Sequence, residues 1–118
     1  MRYDPGMGGK KKIFSYEEAR DLIPAVRKRT KEALSALAGT TGGDTGNANE
    51  SRERLEREAA EILGGWARDI EALGIEVKGP WLVDFDSGAG YYCWKWPEES
   101  LEFFHGYEEG FSGRMRIQ

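Results

Sequence analysis

WLVDFDSGAGYYCWKWPEESLEFFHGYEEGFSGR, residues 81–114, decides the fold. It holds three of the four tryptophans, the only cysteine (Cys93) and the only histidine (His105). Three runs rich in strand formers, 81–86, 91–96 and 101–105, are separated by the glycine-containing turn 87–90 and by Pro97 to Ser100. Gaps this short imply antiparallel neighbours, hence a three-stranded meander. The turns suggest a register. With Asp86 facing Tyr91, Phe85 pairs with Tyr92, Val83 with Trp94 and Trp81 with Trp96. With Trp96 facing Leu101, Trp94 pairs with Phe103 and Tyr92 with His105. One face then carries Trp81, Val83, Phe85, Tyr92, Trp94, Trp96, Leu101, Phe103 and His105. The other carries Leu82, Asp84, Asp86, Tyr91, Cys93, Lys95, Glu102 and Phe104, with Lys95 opposite Glu102.

An apolar sheet face needs a cover, and the chain before it supplies two amphipathic helices. Ser15 fits an N-cap with Glu18 at the third helical position, and Phe14 stands where a hydrophobic staple would. Ala19, Leu22, Ile23, Val26, Ala33, Leu34 and Leu37 then form one stripe, giving a helix over about 16–38. Pro24 interrupts it, and a kink or break is expected there. Residues 39–46 read as a flexible linker. Asn47 or Asn49 caps a second helix over about 48–73, whose stripe is Leu55, Ala59, Ile62, Trp66, Ile70 and Leu73. Gly64-Gly65 weakens it, for which close packing or a bend is the available reason. Gly74 suits a left-handed C-cap, and residues 75–78 suit a short edge strand. Residues 1–12, with Pro5, glycines and three consecutive lysines, read as a disordered tail, and Met7 is a second candidate start. The fold class is α+β: an antiparallel helical hairpin on a small three-stranded antiparallel meander, one domain over 13–118.

Charge and composition exclude several functions. Residues 1–40 carry nine Lys/Arg against five Asp/Glu (+4), and residues 41–118 carry eight against sixteen (−8), giving −4 in total. That acidic balance argues against nucleic-acid binding, which needs a concentrated basic surface. No apolar run reaches the ~20 residues of a membrane span, and one cysteine excludes an internal disulfide framework, so the expected location is cytoplasmic.

Several phrases together resemble a known family. They are Phe14-Ser15 with Glu18-Ala19, Leu22-Ile23-Pro24, Val26-Arg27, Leu82-Val83-Asp84-Phe85, Cys93-Trp94, and Phe104-His105 followed by Glu109-Gly110-Phe111-Ser112-Gly113-Arg114. The chain resembles the mostly bacterial domain-of-unknown-function family DUF2203 over nearly all residues after 13. It departs where Asp86 replaces an expected proline and Phe104 an expected tryptophan. The resemblance implies no activity.

Asp84, Trp94, His105, Glu109 and Arg114 stand out as a candidate functional cluster. Asp84, Cys93, His105 and the Glu108-Glu109 pair offer oxygen, sulfur and nitrogen ligands. Their spacing matches no metal motif, however, and the register puts His105 on one face with Asp84 and Cys93 on the other. No metal or other cofactor is therefore expected. The same separation counts against a Cys93–His105 thiol hydrolase. The leading reading is a non-catalytic interaction or assembly module that self-associates as a homodimer, through the outer sheet face with its uncovered Leu82, Tyr91 and Phe104 or through the helix pair. The alternative is a small enzyme or ligand-binding protein using Asp84, His105, Glu109 and Arg114. Convergence of those four side chains in one open pocket distinguishes the two.

Overall fold

The computed structural model describes residues 12–40 and 48–117. Two helices, α1 (Tyr16–Ala38) and α2 (Ala48–Glu71), precede an antiparallel sheet in meander order. Its strands are β1 (Glu76–Gly79), β2 (Leu82–Asp86), β3 (Tyr91–Lys95), β4 (Phe103–His105) and β5 (Met115–Arg116). The α+β class holds, but the sheet has five strands rather than three. β1 is the edge strand expected near residues 75–78, whereas β5 has only two residues and no alternation to reveal it.

α1 begins as its sequence dictates. Ser15 accepts from the Glu18 amide at 3.0 Å, and Glu18 reciprocates on the Ser15 amide at 3.0 Å. Pro24 does not break the helix, which runs through it for 23 residues. Pro24 lies on the exposed side, where the carbonyl it orphans can meet water. Across the hairpin, the Trp66 indole donates to Thr30 Oγ1 (2.9 Å), which donates to the Val26 carbonyl (2.8 Å); Thr30 is fully buried. This two-bond chain satisfies every polar group it buries. The glycine pair at 64–65 is not explained by packing, since side chains added there would meet only the end of Arg68. Residues 1–11 and 41–47, on which the tail, most of the linker and an Asn47 cap were placed, lie outside the described residues; Asn49 falls within α2.

The first hairpin has the expected register: Val83 opposite Trp94, Phe85 opposite Tyr92, Asp86 opposite Tyr91. Its turn closes with Ser87 N–H on the Gly90 carbonyl (2.8 Å), while Gly88 takes φ +88°. Val83, Phe85 and Trp94 face the helices and join Phe14, Ile23, Val26, Trp66 and Ile70 in the core.

The second register differs from expectation by one residue. Tyr91 faces His105, Tyr92 faces Phe104 and Cys93 faces Phe103. A one-residue slip exchanges the two faces of a strand. Phe104 therefore turns to the helix side, its ring against Tyr92 at 5.8 Å, and His105 turns to the outer side with Asp84 and Cys93. The slip originates in the connection, which is not the tight turn assumed. Glu98 Oε1 accepts from the Lys95 amide (2.9 Å), Arg27 donates to the Pro97 and Glu98 carbonyls (3.0 and 2.7 Å), and Leu101 is buried in the core. The strand starts only at Phe103. Glu102 consequently pairs with Arg116 rather than Lys95.

Candidate functional site

The corrected register gathers three chemically capable side chains on the outer sheet face. Asp84, Cys93 and His105 lie on neighbouring strands, all buried, with their ligand atoms within 4.8 Å of one another. They sit at the base of a cleft of about 220 Å³ whose walls include Lys78, Tyr91, Tyr107 and Glu109. The volume is below the ~300–1,000 Å³ of sites for drug-sized molecules, so the cleft fits an ion or a ligand of a few atoms.

Hydrogen bonding orients His105. Its Nδ1 is 2.8 Å from the Gly106 carbonyl, which can only accept, so Nδ1 carries a proton. Nε2 is left to face Asp84 Oδ2 at 3.0 Å. Two lone pairs do not meet at that distance, so one proton lies between them, on the carboxyl or on the imidazole. Asp84 Oδ1 has no hydrogen-bond partner although it is buried. Burial raises the Asp84 pKa, opposed by a hydrogen bond from the Cys93 thiol, a weak donor, and by the charge and hydrogen bond of His105. The Cys93 thiol is pushed up to about 12, first by burial and then by the Asp84 charge, with Arg114 acting in the opposite direction. At neutral pH it is a protonated thiol and not a nucleophile.

The C-terminal segment forms the rim. Tyr107 packs edge-on against Tyr91 (5.1 Å between centroids) and donates to Asp86 Oδ1 at 2.6 Å. Glu109 Oε1 accepts from the Gly106 amide at 2.8 Å. Arg114 lies between the Phe103 and Phe111 rings, 4.0 and 4.1 Å from their centroids. It pairs with Glu98 at 2.9 Å and its Nη1 is 4.0 Å from Cys93 Sγ. Glu109 and Arg114 thus both anchor the tail, each through a partner other than the other.

Of the five candidate residues, Asp84, His105 and Glu109 line one cleft and Arg114 borders it through Cys93. Trp94 does not belong: it is fully buried on the helix face, its indole donating to the Glu98 carbonyl at 2.8 Å. Cys93 stood apart from His105 in the expected register and in no metal-motif spacing; its place on one face with Asp84 was legible. Tyr91, Tyr107 and Phe111 carried no separate signal, because aromatic residues are frequent throughout this stretch.

A family profile described as "Uncharacterized conserved protein (DUF2203)" matches residues 12–117, and the chain belongs to that family. Neither the curated proteins nor the solved structures contain a match. No helix among the described residues is long and apolar enough to cross a membrane.

Proposed function

We propose that this member of the DUF2203 family is a binding protein for a small ligand that brings a positive charge or a hydrogen-bond donor to Asp84. The observation that carries this reading is Asp84, a residue 2% exposed that lines an open cleft and whose Oδ1 has no hydrogen-bond partner. A buried polar atom left unsatisfied costs about 1–3 kcal/mol, more when charged, which an occupant supplying the missing donor recovers. Three of the four side chains, Asp84, His105 and Glu109, line one cleft, whereas Arg114 is held beside it by Glu98 and Glu109 also bonds the Gly106 amide; this partial convergence favours ligand binding over a pure assembly module. The outer sheet face on which a homodimer was expected is partly covered by the chain itself, with Tyr107 on Tyr91 and Arg114 on Phe103. Assembly therefore ranks second.

The test is thermal denaturation of the purified chain with methylammonium, methylguanidinium and divalent cations, using phosphate and acetate as controls. At least one cation or donor should raise the melting temperature of the wild type and do so less in Asp84→Asn, whose fold is checked by circular dichroism. Absence of any such shift at millimolar concentration, or an equal shift in the variant, overturns the reading.

A further inference from the structure

We propose that the cleft holds a zinc-class divalent ion on Asp84, Cys93 and His105, with the fourth coordination position open to the cleft. This rests on the ligand-binding reading above and identifies the occupant.

The donor set is the first argument. One carboxylate, one sulfur and one imidazole do not suit magnesium or calcium, which take oxygen ligands. Sulfur with imidazole nitrogen suits zinc and its neighbours. His105 is the second argument. A metal-bound imidazole almost always donates its other N–H to a carbonyl or carboxylate, fixing the tautomer. Here the Gly106 carbonyl takes Nδ1–H at 2.8 Å, and Nε2 faces Asp84 Oδ2 at 3.0 Å. Asp84 Oδ1 is the third: it is buried beside them with no partner.

Distances permit the site with small movements. Zinc bonds of about 2.0–2.3 Å at the tetrahedral angle place ligand atoms roughly 3.3–3.8 Å apart. The Nε2–Oδ2 pair, at 3.0 Å, must open by several tenths of an ångström, while the widest separation, no more than 4.8 Å, must close by about one. Charge also fits. A carboxylate, a thiolate and a neutral imidazole carry two negative charges, which a divalent ion cancels, so the loaded site adds no net charge to a buried place. Arg114 beside Cys93 is already balanced by Glu98. Binding releases two protons to solvent, the Cys93 thiol proton and the one shared by Asp84 and His105, and the incoming ion loses water ligands in exchange. No electron is transferred.

The experiment uses the full chain, stripped with a chelator and dialysed. Zinc is titrated calorimetrically, and cobalt(II) is added as a spectroscopic stand-in. The expected result is one ion per chain and a thiolate-to-cobalt charge-transfer band in the near ultraviolet. Cys93→Ser should abolish the band. His105→Gln and Asp84→Asn should weaken zinc at least about tenfold, since loss of even an outer-shell partner costs 10–100-fold. Glu108→Gln, exposed and outside the cleft, should behave as wild type. Wild-type chain without saturable zinc binding at micromolar concentration, or with a cobalt spectrum lacking the thiolate band, overturns the proposal, and neither readout depends on a variant folding. If methylammonium or methylguanidinium stabilises through Asp84 while zinc does not bind, the ion assignment falls and the ligand-binding reading stands. If nothing binds, both fall.

Discussion

Replacing both Gly64 and Gly65 by alanine should stabilise the protein. Both lie inside α2, where glycine is about 0.8–1.0 kcal/mol less favourable than alanine because its backbone loses more freedom on folding. A methyl group at 64 would lie 3.4 Å from Arg68 Nη1, and one at 65 would lie 4.0 Å from Nη2. Both are ordinary contacts with the end of a flexible side chain, so no steric cost offsets the gain. The double variant Gly64→Ala/Gly65→Ala should therefore gain roughly 2 kcal/mol. Unfolding entropy of about 2.1 cal/mol/K per residue gives about 0.25 kcal/mol/K for 118 residues. The melting temperature should accordingly rise by about 8 °C. Scanning calorimetry measures it, with urea denaturation at unchanged m-value confirming that the folded state is what changed. An unchanged or lowered melting temperature refutes the reasoning.

Thr30→Val keeps the shape but leaves the buried Trp66 indole N–H without its acceptor, so it should cost about 1–3 kcal/mol in urea denaturation; a loss below measurement error would show that the indole finds another partner. Gly90→Ala should destabilise markedly in the same assay, because its methyl group would overlap the Phe104 ring and lie 2.7 Å from the His105 carbonyl, and a wild-type midpoint would refute that close approach. Tyr107, whose hydroxyl donates to Asp86, has its phenol pushed up to about 12, chiefly by that bond. Its ionisation is suppressed in the folded state, so its contribution to stability is complete below the ordinary phenol value of 10.0 and is lost as pH rises towards about 12. Ultraviolet titration should show a late phenolate component that shrinks in Tyr107→Phe, the remainder coming from Tyr91, raised by burial and its bond to Glu76; a tyrosine set titrating uniformly near its ordinary value would contradict it. Arg114→Ala should speed labelling of Cys93 by a thiol reagent, by ~5-fold to ~160-fold if the ion pair and ring contacts together hold the tail by about 1–3 kcal/mol. Loss of the guanidinium charge alone would slow the reaction by disfavouring thiolate, so an unchanged or slower rate would show that the tail does not guard the thiol.

What was legible in the sequence is what local chemistry determines. Ser15 and Glu18 specify their capping box without help from the rest of the chain, and the Ser87 to Gly90 turn sets the β2–β3 register because its glycine and serine leave few alternatives. The β3–β4 register was illegible because its determinants are distant. Arg27, on α1, holds the carbonyls of residues 97 and 98, and Leu101 leaves the strand path for the core. Nothing in the alternation of 101–105 distinguishes a strand beginning at Leu101 from one beginning at Phe103. The site was hidden by the same residue of slip, since Asp84 and Cys93 were already placed on one face and only His105 was assigned to the other. Thr30 escaped notice because a lone threonine in a helical stripe carries no sign of an indole 36 residues away.

The alternation that hid the site also separates it from the core. Along β2, Val83 and Phe85 point to the helices while Asp84 between them points outward; along β3, Trp94 points to the helices and Cys93 outward. The apolar faces of the helices are closed by Val83, Phe85 and Trp94, so the hydrophobic core does not require a carboxylate, a thiol or an imidazole behind it. An outer face serving only for packing would be stabler with apolar side chains of similar size at these three positions, because buried polar groups offset their lost hydration only when fully bonded. One oxygen of Asp84 has no partner, and the carboxylate that carries it lies within 4.8 Å of two other ligand atoms rather than at random in the sheet. A stability cost concentrated where three donor atoms converge is the pattern of a site organised for an occupant.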